Sequence, residues 1–134
     1  MKDNKCFFDT NILLYLLSSD IDKAEAAEKL LCTGGYISVL VINELTNVML
    51  KKFKMSWDEI EEFISLIKSI CDVVPLTIEI SDSGRDIAQR YRFSLYDSMI
   101  VSAAYASNCS VLYSEDMHNG ITINDSLMII NPFI

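Results

Sequence analysis

The chain has 134 residues, 51% of them hydrophobic, and a formal net charge of −8. This length suits one domain covering residues 1–134, and no stretch approaches the roughly 20 uncharged apolar residues that a membrane span needs. The negative charge argues against a protein held to nucleic acid by phosphate contacts alone. The apolar run near the N-terminus is too short for a signal peptide, so the sequence predicts a cytoplasmic protein.

The predicted elements alternate between strands and helices. In chain order they are a strand at 5–9, helices at 11–17 and 22–31, a strand at 36–39, a helix at 41–52 and a helix opened by a capping box at 56–59. They continue with a strand at 73–76, helices at 80–91 and 97–107, and strands at 110–113, 121–123 and 127–130. This order predicts an α/β fold, a three-layer α/β/α sandwich with a mainly parallel central sheet. Pro75 places the third strand at an edge or at a strand end.

Four carboxylates stand in apolar surroundings, each at the end of a strand or near the start of a helix: Asp9, Glu44, Asp97 and Asp116. Ligands of parallel sheets bind beyond the carboxyl ends of the strands, so we expect the four acids to gather at one rim. A buried ionised carboxylate is costly without a partner, and no lysine or arginine adjoins any of them in the sequence. The pattern therefore predicts a bound divalent cation, and oxygen ligands favour Mg²⁺ or Mn²⁺.

Each acid also has a structural alternative. Asp9 and Asp97 could cap the helices that follow them, although a neighbouring serine could cap the second helix. Glu44 could face solvent on an amphipathic helix. Asp116 could be an ordinary acid of a strand-end loop, but alternation along the preceding strand favours it over Glu115 as a ligand.

Basic residues form two local groups that are candidates for contacts with nucleic-acid phosphates. The groups are Lys51, Lys52 and Lys54, and Arg85, Arg90 and Arg92. A solvated helix face explains either group equally well.

The four cysteines are scattered along the chain, at Cys6, Cys32, Cys71 and Cys109. Without a CxxC pair or a Cys/His cluster they argue against a structural zinc site. Their apolar sequence neighbours predict buried thiols.

Five segments that together span nearly the whole chain form a recognisable set. They are FDTNIL at 8–13, ISVLVINEL at 37–45, YDSMI at 96–100, YSEDM at 113–117 and INPF at 130–133. This set resembles the PIN-domain family, and most closely the VapC-type ribonuclease toxins of toxin–antitoxin pairs. The segment at 118–120, His-Asn-Gly, departs from the Gln-His-Gly of the most similar subgroup.

The resemblance implies magnesium or manganese ligands at Asp9, Glu44, Asp97 and Asp116, supported by Asn11, Ser38 and Ser114. It also implies an RNA substrate, with transfer RNA as one candidate, a cognate antitoxin protein, and a homodimer. Asp9 and Asp97 are expected to be the central ligands. Glu44 and Asp116 would bind a second ion or position water.

The chemistry that fits these residues is hydrolysis of RNA by metal-activated water, which leaves 5′-phosphate and 3′-hydroxyl ends. His118 is the only histidine, which excludes a metal-free ribonuclease that uses two histidines as acid and base. A haloacid-dehalogenase-like phosphatase would need a second aspartate where Asn11 stands. The remaining alternative is a catalytically inactive PIN-like module that binds RNA or a partner.

Overall fold

The computed structural model describes residues 5–134, which form six α-helices and a six-stranded sheet. The elements are β1 (Cys6–Phe8), α1 (Thr10–Leu14), α2 (Ile21–Leu31), β2 (Gly35–Ser38), α3 (Val39–Lys51), α4 (Trp57–Ile70), β3 (Cys71–Val74), α5 (Ile78–Tyr91), α6 (Leu95–Ala106), β4 (Val111–Tyr113), β5 (Thr122–Ile123) and β6 (Leu127–Ile130). The predicted alternation is confirmed. No helix in this part of the chain is both long and apolar enough to cross a membrane.

The sheet has the strand order β3-β2-β1-β4-β6-β5, with every neighbouring pair parallel except β5 and β6. From β1 the chain moves outward to β2 and β3, and then returns to place β4 on the other side of β1. The right-handed rule for parallel crossovers assigns α1 to α4 to one face of the sheet and α5 with α6 to the other. The three-layer mainly parallel fold is therefore confirmed, and its switch point lies between β1 and β4.

Some element boundaries differ from the prediction. Helix α3 begins at Val39, directly after β2, because the Ser38 hydroxyl caps it by accepting from the Leu40 backbone N–H at 3.0 Å. Strand β3 ends at Val74 because Pro75, which has no backbone N–H, follows it. As predicted, β3 is an edge strand. The first predicted helix is shorter than expected, since α1 ends at Leu14 and a 3-10 turn follows it.

The two helices on the second face pack closely because Gly84 of α5 has no side chain and leaves room for Met99 of α6. A Cβ added to Gly84 of α5 would lie 2.9 Å from the sulfur of Met99 on α6. The buried Ser102 hydroxyl of α6 donates to the Ile80 carbonyl of α5 at 2.9 Å. This packing fixes the position of α6, whose first turn carries Asp97.

The cysteine prediction holds only in part. Cys71 and Cys109 are buried in the core, and Cys6 is half-buried. Cys32 is exposed, so the prediction of a buried thiol is wrong there. It follows the last residue of α2, where the chain turns at the surface toward β2.

Replacing Ser56 with alanine should reduce the free energy of unfolding by about 1 kcal/mol. The Ser56 hydroxyl accepts from the Glu59 backbone N–H, and the Glu59 carboxylate accepts from the Ser56 N–H, which confirms the predicted capping box. Urea titration measures the change. Ser69→Ala, in the last turn of the same helix, is the control and should stay within about 0.5 kcal/mol of wild type. An equal loss in both variants would contradict the cap assignment.

Candidate active site

The structure brings all four predicted acids to one pocket of about 110 Å³ at the carboxyl ends of β1 and β4. Asp9 follows β1 directly, and Asp116 lies three residues beyond β4. Glu44 is in the second turn of α3 and Asp97 is in the first turn of α6. The pocket therefore lies at the switch point of the sheet, where parallel α/β folds bind their ligands.

Asp9 is the most enclosed of the four acids, with 4% of its surface exposed. One carboxylate oxygen accepts from the Thr10 backbone N–H at 2.7 Å, and the other accepts from the Ser114 hydroxyl at 2.7 Å. Asp9 is thus the N-cap of α1 and also a pocket residue, so its capping role does not exclude it from the site. Burial raises the pKa of Asp9 to about 6, and the charges of Asp97 and Glu44 add to that rise.

Glu44 is half-buried and its carboxylate accepts a hydrogen bond from the Thr10 hydroxyl. Thr10 therefore orients two acids, Asp9 through its backbone N–H and Glu44 through its side chain. Thr10 was not among the predicted site residues. The only sequence signal for it was a short polar side chain next to Asp9.

The alternative that Asp97 only caps its helix is not what the structure shows. Ser94 is the N-cap of α6, and its hydroxyl accepts from the Asp97 backbone N–H at 3.1 Å. The Asp97 carboxylate is half-buried and lines the pocket. Burial raises its pKa, the Ser94 hydrogen bond opposes that rise, and the charge of Asp116 adds to it.

Asp116 is exposed, and the argument that singled it out is wrong in its geometry. Strand β4 ends at Tyr113, so strand alternation does not extend to residues 114–116. Asp116 nevertheless lines the pocket, whereas the Glu115 side chain accepts from Tyr15 and Lys23. The loop after β4, and not the alternation of side chains along a strand, directs the Asp116 and Glu115 side chains to different surroundings.

The three predicted supporting residues occupy different positions. The buried Ser114 hydroxyl donates to Asp9 and accepts from the backbone N–H of Asp116 at 3.3 Å. The Asn11 side-chain oxygen accepts from the Glu115 N–H at 3.2 Å, while its buried amide nitrogen has no partner among residues 5–134. Ser38 is not a lining residue of the pocket; it caps α3, the helix that carries Glu44.

Tyr96, which the sequence did not single out, contacts the helix that carries Glu44. Its hydroxyl donates to the Leu40 carbonyl at 2.9 Å, which joins the first turns of α6 and α3. Burial raises the pKa of Tyr96, and the charges of Glu44 and Asp9 raise it further. Its position next to Asp97 in the sequence was the only available signal.

None of the six basic candidates lines the acid pocket. Arg85 is paired with Asp82, and Arg90 is paired with Asp86 at 3.6 Å, both on the exposed surface of α5. Lys52 lines a neighbouring pocket of about 470 Å³, which shares Asn11 with the acid pocket. Of the six, only Lys52 lines this neighbouring pocket.

The donor set of the pocket fits a hard divalent cation. Its lining contains four carboxylates and no lysine or arginine, and the ion pairs found within residues 5–134 involve none of the four. Carboxylate oxygens are the ligands that Mg²⁺ prefers. In the side-chain positions of the structure, however, no group of three or more His, Cys, Asp or Glu residues in the described part is arranged to hold one ion.

Comparison with known proteins gives consistent matches. The model of the PIN domain matches residues 6–118. Ribonuclease VapC2 of Methanocaldococcus jannaschii is 30% identical over 118 residues, covering 76% of this chain and 78% of the relative. A toxin–antitoxin complex from Klebsiella pneumoniae contains a similar chain with a TM-score of 0.74 and 21% identity, covering 96% of this chain and 98% of that one. Mycobacterium tuberculosis VapC20, a sarcin–ricin loop cleaving toxin, has a TM-score of 0.65 and 12% identity, covering 81% and 87%.

Proposed function

The chain belongs to the PIN domain family, and from this premise we propose that it is a metal-dependent endoribonuclease of the VapC type. The observation that carries the proposal is the convergence of Asp9, Glu44, Asp97 and Asp116 on one pocket that no basic side chain enters. A buried carboxylate with a raised pKa and no cationic partner is typical of a functional site. Asp9 meets that description.

Asp9 and Asp97 are the proposed central ligands of Mg²⁺ or Mn²⁺, with Glu44 and Asp116 completing the set or positioning water. The chemistry that a bound divalent cation supplies is neutralisation of phosphate charge and activation of water for in-line attack. Two hydrogen bonds fix the Asp9 carboxylate before substrate arrives, so its orientation does not have to be established during the reaction. The Thr10 hydroxyl holds Glu44 in the same way.

In this proposal two further side chains, Lys52 and Asn11, would contact the substrate. Lys52, which lines the pocket adjoining the acid pocket, would contact an RNA phosphate beside the cleaved one. The unpartnered amide of Asn11 is a buried donor at the pocket and can donate to a phosphate oxygen or to water. Both donors help to offset the repulsion between the substrate phosphates and a chain of net charge −8.

We propose RNA as the substrate, with transfer RNA as one candidate, and a cognate antitoxin protein and a second copy of the chain as partners. The relative named ribonuclease VapC2 and the toxin–antitoxin complex support these proposals. The surface is compatible with protein partners, since an apolar groove of about 770 Å³ between α2 and α4 is lined by Leu31, Phe63 and Leu66. Trp57 and Ile78 are also largely exposed.

Cleavage of an RNA panel by the wild-type protein should require Mg²⁺ or Mn²⁺ and stop on addition of EDTA. Asp97→Asn should lower the single-turnover rate by about 100-fold or more, because it removes a charged ligand of the proposed Mg²⁺ or Mn²⁺ ion. Product ends are read by ligation and by phosphatase sensitivity. We expect 5′-phosphate and 3′-hydroxyl ends.

Asp58→Asn is the matched control, because Asp58 is also a first-turn aspartate, of α4, and is exposed away from the pocket. Its rate should equal that of wild type. Equal residual cleavage by wild type and Asp97→Asn would contradict the site, and 2′,3′-cyclic phosphate ends would contradict the mechanism. Absence of cleavage with intact RNA binding would favour the inactive binding module instead.

A further inference from the structure

A cluster of four side chains lies next to the acid pocket and takes no part in the proposed chemistry. The Tyr15 hydroxyl donates to one carboxylate oxygen of Glu115 at 2.5 Å. The Lys23 ammonium donates to the other oxygen at 2.9 Å and to the Tyr15 hydroxyl at 3.0 Å. Lys23 also lies over the rings of Tyr15 and Phe133, at 4.8 and 5.6 Å from their centres. We refer to the three hydrogen-bonded members, Tyr15, Lys23 and Glu115, as the anchor cluster; Phe133 is the fourth side chain and only packs against them.

The anchor cluster differs from the other ion pairs found within residues 5–134. Those pairs, Asp82 with Arg85 and Asp86 with Arg90, join neighbouring turns of α5 and are more exposed. Lys23 and Glu115 are 92 residues apart and only partly exposed. An exposed pair within one helix contributes little to a fold, whereas a pair that joins distant segments fixes their relative position.

The segment that the anchor cluster holds is the loop of residues 114–117, which we call the acid loop. The loop is bonded on its pocket side as well. The Ser114 hydroxyl donates to Asp9, and the Asn11 side chain accepts from the Glu115 backbone N–H. The Glu115 side chain accepts from Tyr15 and Lys23. Glu115 is thus fixed through both its backbone and its side chain, one residue before Asp116.

Asp116 has no comparable support of its own. It is exposed, and within residues 5–134 no hydrogen bond to its carboxylate is found, although its backbone N–H donates to Ser114. The direction of its side chain therefore depends on the backbone of the acid loop. A loop free to rearrange would spread Asp116 over several positions, of which only some face the pocket.

We propose that Tyr15 and Lys23, acting through Glu115, are positioning residues that hold Asp116 toward the metal pocket. The inference rests on the proposed function, because it concerns the ion that the pocket binds. Groups that orient a metal ligand without touching the metal are worth about tenfold in metal affinity.

The test measures Mn²⁺ binding to the RNA-free protein by electron paramagnetic resonance of the free ion. Tyr15→Phe removes one hydroxyl and no charge, and the remaining ring can still pack on Phe133, whose centre lies 4.9 Å away. Lys23→Met removes a positive charge. Electrostatics alone predicts tighter Mn²⁺ binding by Lys23→Met, whereas positioning predicts weaker binding, so the sign of the change separates the two explanations.

We expect both variants to bind Mn²⁺ about tenfold more weakly than wild type. Lys29→Met, which removes an exposed positive charge from the same helix, is the control and should bind at least as tightly as wild type. In an Asp116→Asn background Tyr15→Phe should cause no further loss, because its effect passes through Asp116. Thermal melting of each variant checks that the fold is retained.

Wild-type affinity in Lys23→Met and Tyr15→Phe, or tighter binding by Lys23→Met, would overturn the positioning role and leave the metal site standing. A full Tyr15→Phe loss in the Asp116→Asn background would overturn it too. If the wild-type protein itself shows no saturable Mn²⁺ binding, the proposed function fails, and this inference fails with it.

Discussion

At pH 7 the Asp9→Asn protein should melt at a higher temperature than the wild type without divalent ions, and with Mg²⁺ or Mn²⁺ present it should cleave RNA at least about 100-fold more slowly. The two effects have one cause, the buried charge of Asp9. In the fold this carboxylate is 4% exposed, and its pKa is raised to about 6. An amide at this position keeps an oxygen to accept from the Thr10 N–H and gains a donor for the Ser114 hydroxyl.

The sign of the stability effect follows from proton linkage. Asp9 has a higher pKa in the folded chain than the value near 4 of an unfolded chain, so the folded state binds more protons between about pH 4 and 6. Stability therefore falls as the pH rises through this window, and the loss is complete above pH 6. Removing the charge should raise the free energy of unfolding by an amount on the order of 2 kcal/mol at pH 7, and should not change it below about pH 4.

Thermal melts in EDTA from pH 3.5 to 8 measure this difference. Added Mg²⁺ or Mn²⁺ should stabilise the wild type, because an ion that binds only the folded state shifts the unfolding equilibrium. The same ions should stabilise Asp9→Asn much less. Asp58→Asn provides the control, with a pH profile parallel to that of wild type. A lower melting temperature for Asp9→Asn at pH 7 in EDTA would show that the charged hydrogen bonds outweigh the cost of burial.

The second large effect is expected at Gly35, the first residue of β2. Gly35→Ala should lower the free energy of unfolding by about 3 kcal/mol. The new Cβ would lie 2.5 Å from a ring carbon of Phe8 and 2.8 Å from the Cys6 carbonyl oxygen. The Phe8 ring is buried and stacks on Tyr113, so it cannot move aside, and the carbonyl belongs to the backbone of β1. Because β1 leads directly into Asp9, activity should fall with stability.

Gly120→Ala separates this clash from a general cost of replacing glycine. Gly120 has φ +88°, yet a Cβ there would meet no atom within 4 Å. The free energy of unfolding of Gly120→Ala should fall by about 1 kcal/mol, from backbone strain alone. Urea unfolding of the two variants beside wild type gives both values. Similar losses in the two would mean that contact with β1 does not determine the cost at Gly35.

The order of the elements and the four acids were accessible from the sequence because their signals are local. A strand that ends in an acid, such as Asp9 after Phe8, can be recognised within a few residues. The capping box at Ser56 is a signal of the same kind. The parallel sheet then brings strand ends to one rim, and the position of Asp9 in the fold follows from that rule.

The connections between these elements were not accessible, because their partners are far apart in the chain. The Thr10 hydroxyl and Glu44 are 34 residues apart, and Tyr96 and the Leu40 carbonyl are 56 residues apart. No periodicity links such residues. The anchor cluster could not be predicted for the same reason, since Lys23 and Glu115 are 92 residues apart. Alternation along β4 was a poor guide to Asp116 for another reason, because the strand ends at Tyr113 and a loop follows it.

The placement of β4 has a consequence for the timing of synthesis. Ser114, which directly follows β4, donates to Asp9 across 105 residues of sequence, and the Asp9 N–H donates to Tyr113 at the end of β4. When only about the first hundred residues have emerged from the ribosome, the nascent chain therefore contains β1 and Asp9 but not β4, the strand that completes the pocket. Any chemistry of this pocket must appear late, after β4 has entered beside β1. Nascent chains that end before β4 therefore lack the complete pocket.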